Sequence, residues 1–188
     1  MNEIDAIRSD FTDKRPQTWQ NLPDLDLYMD QVIAFLGRTQ LAPEDSQKLT
    51  AAMVNNYVKE GLLPRAKGKR YERDHVALLQ IFVALKEVVT VKEAGTLLNS
   101  YIADAAVEDR YDQVLAELGG ILDETVSRLP EDDSKEALVE AALTFALDSY
   151  ANKIACQRLI EILNRQMAEE AELEKAKQDK KNEKQDKK

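Results

Sequence analysis

MVNNYVKEGLLPRAKGKRYERDH, residues 53–75, crowds cations into a chain that is otherwise acidic. Between Lys48 and His75 seven basic residues stand against three acidic ones, a local charge of +4, while the whole 188-residue chain carries −9. The same stretch holds strong punctuation. Gly61 sits where a helix would end, and Pro64 disfavours helical backbone at Leu63. Gly68 invites a turn between Arg65-Ala66-Lys67 and Lys69-Arg70-Tyr71. The stretch therefore reads as helix, break, small basic hairpin or wing, then helix.

Upstream, Thr50 is a good N-cap for a short helix over TAAMVNNYVKEG. On a helical wheel Met53, Val54, Tyr57 and Val58 share one side, and Ala52, Asn55, Asn56 and Lys59 the other. A helix this short is marginal alone, so its apolar side must dock and its Asn/Lys side faces outward. Further back, Leu25, Tyr28, Met29, Val32, Ile33 and Leu36 follow helical spacing between a cap at Asp24 and a terminator at Gly37. A connector, RTQLAPEDSQKL, follows that helix. Residues 1–23 read as an arm whose lone Trp19 packs on this first helix.

Downstream, a helix is expected from about Arg73 to Val88, with Val76, Leu79, Phe82 and Val83 inward. TVKE, residues 90–93, is a capping box that opens another helix. Beyond Ser100 the chain turns acidic: residues 76–167 carry eight basic against sixteen acidic side chains. Gly119-Gly120 and LPEDDSKE (residues 129–136) read as breaks between helices at 107–118, 121–128 and a long one from about Asp133. Glu131, Asp132 and Asp133 suit a helix N-terminus better than a metal site. In the long helix Ala142, Phe145, Ser149, Asn152, Cys156, Leu159 and Leu163 alternate in steps of three and four, a candidate dimer seam. The tail, residues 168–188, mixes seven acidic and seven basic residues with almost no apolar content and is expected to fray into disorder.

Composition excludes several classes. One cysteine, Cys156, rules out an intramolecular disulfide, and a single histidine, His75, makes a Cys/His metal site implausible. No apolar run approaches a membrane span, and the first residues lack the apolar core of a signal peptide. No nucleophile–base spacing or phosphate-binding glycine loop is present. The expectation is a cytoplasmic protein that is not an enzyme, with no cofactor, no metal and no membrane partner.

TAAMVNNYVKEGLLPRAKGKRYERDHVALLQIFVALKEVVTVKEAGTLL resembles the winged helix-turn-helix of the MerR family of bacterial transcription regulators. The resemblance rests on Thr50, Tyr57, Gly61-Leu62-Leu63, Pro64, Gly68-Lys69-Arg70-Tyr71, Asp74 and Thr90. The whole chain looks closer to a group of bacterial proteins with a MerR-like half and a helical C-terminal half. Asn55-Asn56 replaces the Arg-Tyr of that family's recognition helix, and the wing is shorter. The resemblance implies an all-α fold with a small β-wing at 24–100, a helical dimerisation region at 101–167 and a disordered charged tail at 168–188. It implies a homodimeric regulator that binds double-stranded DNA, with room for an effector or protein partner. Lys59, Arg65, Lys67, Lys69, Arg70 and Arg73 would engage phosphates, and Asn55 and Asn56, beside Ala52, would read bases. Tyr57 and Tyr71 would offer hydroxyls. The alternative is a helical interaction or scaffold protein that does not bind DNA, favoured by the overall acidity.

Overall fold

A computed structural model describes residues 3–39 and 47–185. Most of the expected connector, residues 40–46, lies outside these described residues, as do the last three of the tail. The chain forms two compact units, Met1–Ala146 and Leu147–Lys188.

The first unit is built around one buried helix. α4 (Arg73–Leu85) has every residue from His75 to Val83 buried. A helix apolar on all sides must be covered on all sides, and the neighbouring elements do so. Covering a Val, Leu, Ile or Phe side chain contributes about 1.5–3 kcal/mol, so this helix anchors the core. α5 (Val91–Ile102) and α6 (Val107–Ser127) pack against α4, and α5 also meets α6. α2 (Met29–Thr39) contacts α3 (Ala51–Lys59), and α1 (Glu3–Asp13) lies on α6. A one-turn 3-10 helix at Trp19–Asn21 seals the other side of α6.

Several boundaries depart from the sequence reading. Residues 3–13 form α1 where an arm is expected, with Ile4 buried. The Arg8 guanidinium of α1 donates to the carbonyls of Leu129 (3.1 Å) and Pro130 (2.9 Å), covering acceptors left free just past α6. Trp19 packs against Tyr111 of α6 (ring centroids 6.0 Å apart) instead of against the first long helix. α2 starts at Met29, not Asp24, because Leu27 is held extended by pairing with Tyr71. Gly37 lies inside α2, and Gly119-Gly120 lie inside an unbroken α6. Helical hydrogen bonding carried by the flanking residues outweighs the glycine penalty of about 1 kcal/mol each.

The β-wing is not formed. Among the described residues there is no β-strand, only two isolated bridges, Lys67–Arg70 and Leu27–Tyr71. Two causes act together. Gly68 (φ 57°) and Lys69 (φ 68°) turn the chain so tightly that one bond, Arg70 N–H to Lys67 C=O (3.0 Å), closes the turn. The next pair of groups a hairpin would join, Arg65 C=O and Glu72 N–H, is taken by the His75 ring instead (3.0 and 3.2 Å), while Tyr71 turns outward to exchange both backbone bonds with Leu27 (2.8 and 3.0 Å). The fold is helical without the expected wing.

The expected capping box at residues 90–93 is present: Thr90 Oγ1 accepts from Glu93 N–H (3.3 Å) and Glu93 Oε2 accepts from Thr90 N–H (2.8 Å). α7 spans Lys135–Gln185. Its start is organised by Ser134, whose Oγ accepts from Ala137 N–H (3.3 Å). Asp132 accepts from Ser134 N–H (2.8 Å), and hydrogen bonds from Ser134 hold its carboxyl below the usual range. Ser134 is thus the cap, and Asp132 from the acidic run supports it. The tail from residue 168 to Gln185 continues α7 as helix, where fraying is expected.

Candidate functional site

Two surfaces gather chemistry. The first is the basic segment. α3 presents Ala52, Asn55, Asn56 and Lys59 outward and buries Val54 and Tyr57. Its end is fixed by a double closure: Leu62 N–H donates to Tyr57 C=O (2.9 Å) and Gly61 N–H to Val58 C=O (3.2 Å), with Gly61 at φ 73°. This is the Schellman arrangement that glycine at C′ permits. α5 then clamps the exit. Asn99 donates to Gly61 C=O (3.2 Å), and Gly95 lies so near Leu62 that a Cβ there would stand 2.5 Å from Leu62 Cδ2.

His75 ties the far end, and it is buried rather than a surface group. Its Nδ1 accepts from Glu72 N–H (3.2 Å), which fixes the proton on Nε2, and Nε2–H donates to Arg65 C=O (3.0 Å). One neutral imidazole therefore pins both ends of the turn that runs from Arg65 to Glu72.

Held this way, α2, α3 and the turn enclose a cleft of about 630 Å³ lined by Met29, Ala51, Asn55, Val58, Lys59, Arg65, Ala66, Lys69 and Tyr71. The basic set divides here. Lys59, Arg65 and Lys69 line the cleft, and none of their side chains forms an ion pair among the described residues. Lys67 instead stands 3.0 Å from Glu72 Oε1, and that hydrogen bond and charge raise its ammonium above the ordinary value. Arg70 donates to the Tyr28 hydroxyl (3.0 Å) and lies over its ring. Arg73 lies over Trp19, 5.7 Å from the ring centroid. Asn55 joins the cleft; Ala52 and Asn56 are exposed beside it. Tyr57 packs on Phe82 (4.7 Å between centroids), and burial first, then Glu60 and Glu87, raises its phenol. Tyr71 is buried, which also raises its phenol.

The sequence reading missed the apolar floor, Met29, Val58 and Ala66, because α2 reaches it only through tertiary packing. With no wing to lay on a duplex and half the cations committed to protein partners, the expected double-stranded DNA interface is not supported. The resemblance to a MerR-like regulator falls with it.

The second surface is on α7. In the expected dimer seam Phe145, Cys156 and Leu163 are half-buried, and Arg128 lies over the Phe145 ring at 5.0 Å. Ala142, Ser149, Asn152 and Leu159 are exposed. Large apolar residues left in solvent include Leu147, Tyr150 and Ile154, on another line of the helix, as well as Leu159 and Ile162. The homodimer expectation rested on that seam and on a two-fold operator, and the loss of the duplex interface removes the operator. Among the described residues no helix is long and apolar enough to cross a membrane, and no group of three His, Cys, Asp or Glu side chains could hold a metal ion.

A third feature lies in the core of the first unit. Tyr111 is fully buried, and its hydroxyl lies 2.6 Å from Gln17 C=O and 2.8 Å from the Gln80 side-chain amide. A phenol has one hydrogen, and Gln80 Nε2 otherwise has no partner. With the amide turned so that its NH₂ faces the phenol, Tyr111 donates to Gln17 and accepts from Gln80. Burial, and then Asp112, pushes this phenol far above its ordinary value.

No curated protein and no solved structure matches the chain. Residues 17–116 match a domain of unknown function, DUF1836, over a segment that brackets the Gln17–Tyr111 bond and contains the whole basic cleft, but stops before α7. That match covers more than half of the chain, and the protein belongs to the DUF1836 family.

Proposed function

We propose that this is a helical protein-interaction protein and that α7 offers a contact surface to an amphipathic helix of another protein. The carrying observation is the apolar line Leu147, Tyr150 and Ile154, spaced by three and four and between 42% and 68% exposed. Apolar residues at this alternation form a seam for a second helix, and contiguous exposed apolar surface marks interaction sites. The net charge of −9 favours a protein over an anionic lipid surface.

A photo-crosslinking amino acid at Ile154 in cells tests this. The expected product is an adduct with a helical segment of a second protein, reduced about a hundredfold or more in affinity by Leu147→Glu with Tyr150→Glu. Each substitution removes about 1.5–3 kcal/mol of apolar burial. Adducts to lipid, or an adduct indifferent to the double substitution in a chain that keeps its helical circular dichroism, would refute the proposal. Adducts only to copies of the same chain would move the surface to self-association and refute the heterologous partner.

A further inference from the structure

We infer that the cleft between α2, α3 and the turn at residues 65–71 binds an acidic protein segment that sets an apolar side chain among its carboxylates. This surface is separate from the α7 line and goes beyond the function proposed above.

Charge complementarity names the occupant. Lys59, Arg65 and Lys69 line one concavity and have no ion-pair partner among the described residues, whereas Lys67, Arg70 and Arg73 at the same segment are each engaged by a protein group. The floor beneath the three cations is apolar, from Met29, Val58 and Ala66, and Asn55 adds a side-chain amide able to pair with a peptide group. A volume of about 630 Å³ lies within the range of sites that take a compact ligand.

The backbone supplies an independent sign. Lys69 holds φ at 68°, the left-handed region where a side chain costs energy and where Gly or Asn is the ordinary choice. A strained non-glycine residue at a ligand-lining position is the pattern of a functional site. Lysine at this position gives the cleft a cation that glycine could not.

Other anions fit less well. A single small anion gains most from buried, fixed donors, yet all three cations are exposed. A segment with several carboxylates engages them together and uses the apolar floor as well. The chain outside residues 48–75 sums to −13, so an anionic partner must be short enough to stay within the cleft, which a rigid duplex is not.

Fluorescence anisotropy on the full chain decides between these. The probe is a labelled seven-residue peptide of Asp and Glu with one central Phe; its partners are the same peptide with Ala for Phe, the same with Lys for the acids, a labelled 20-base-pair duplex and unlabelled inorganic phosphate. The expected result is saturable binding of the acidic Phe peptide, at least tenfold weaker for the Ala version and absent for the Lys version. Lys59→Gln, Arg65→Gln and Lys69→Gln combined should weaken it at least tenfold and flatten its salt dependence. Lys67→Gln should change it less than twofold. Leu147→Glu with Tyr150→Glu should leave it unchanged, so failure here and failure of the α7 proposal are distinguishable. Equal binding of the Phe and Ala peptides, full competition by millimolar phosphate, tighter binding of the duplex, or indifference to the triple substitution in a folded chain would each overturn the inference.

Discussion

Lys69 shows how one residue can serve binding at the expense of the fold. Its left-handed backbone (φ 68°) is tolerated because Gly68 turns first and the Arg70–Lys67 bond closes the turn. Lys69→Gly relieves a strain of about 1 kcal/mol, less the chain entropy that glycine adds. Thermal denaturation should show a melting temperature unchanged or slightly raised, while the acidic probe binds more weakly. A fall of several degrees would mean that the side chain supports the turn. Gly95 is the opposite case. A Cβ there meets Leu62 Cβ at 2.9 Å as well as Cδ2, so Gly95→Ala must push Leu62 off the face of α5. A loss of about 1–3 kcal/mol in urea titration is expected, in the range of overpacked cores. His75→Ala should cost a similar amount, since Glu72 N–H and Arg65 C=O both lose their partner.

Among the elements, α6 is instructive because its sequence invites a break that does not form. Gly119 meets only Arg15 Nη1 at 3.9 Å and Gly120 has nothing within 4 Å, so a methyl group fits at both. Gly119→Ala and Gly120→Ala should each stabilise by about 0.5–1 kcal/mol, through the entropy glycine loses on folding. Chemical denaturation of the double variant measures it, and a destabilised product would show that the pair serves a bend. The reverse holds at α5. Thr90→Ala removes an acceptor that the Glu93 N–H uses, at a cost of about 1 kcal/mol. α3 differs from both: nine residues long, it is stabilised by what its buried side touches, Tyr57 against Phe82, more than by its own helix.

For the molecule as a whole, three phenols link stability to alkaline pH. Tyr57, Tyr71 and Tyr111 all have raised values, chiefly through burial. Above the unfolded value of 10.0 the unfolded chain releases protons that the folded chain retains, so the stability present below that pH is lost as pH rises. Unfolding should therefore steepen above about pH 10, and Tyr111→Phe, less stable at neutral pH for want of its Gln17 bond, should show a shallower decline. An identical slope in the variant would remove Tyr111 as a source. The charge distribution acts at the same scale. In a chain of −9 the cleft lies within a locally positive segment, so raised salt should weaken the acidic probe and leave apolar α7 contacts nearly unchanged.

Sequence alone determined what depends on neighbours along the chain. Helix caps at Thr50 and Thr90, the outward set Ala52, Asn55, Asn56 and Lys59, and the ending of α3 at Gly61 are short-range matters of backbone geometry and spacing. The basic turn was legible too, as a cluster of charge. What the charge does was not, because the partners lie far away in sequence: Tyr28 covers Arg70 and Trp19 covers Arg73. The expected wing fails on a side chain outside its own arms, since His75 takes Arg65 C=O and Glu72 N–H, the next groups a hairpin would pair. On α7 the spacing allowed two apolar lines, and a helix cannot say which of its faces is covered. Only the tertiary structure shows which side chains stay exposed, Leu147, Tyr150 and Ile154 and also Leu159 of the expected seam, since burial is a property of everything packed around a residue and not of the residue itself.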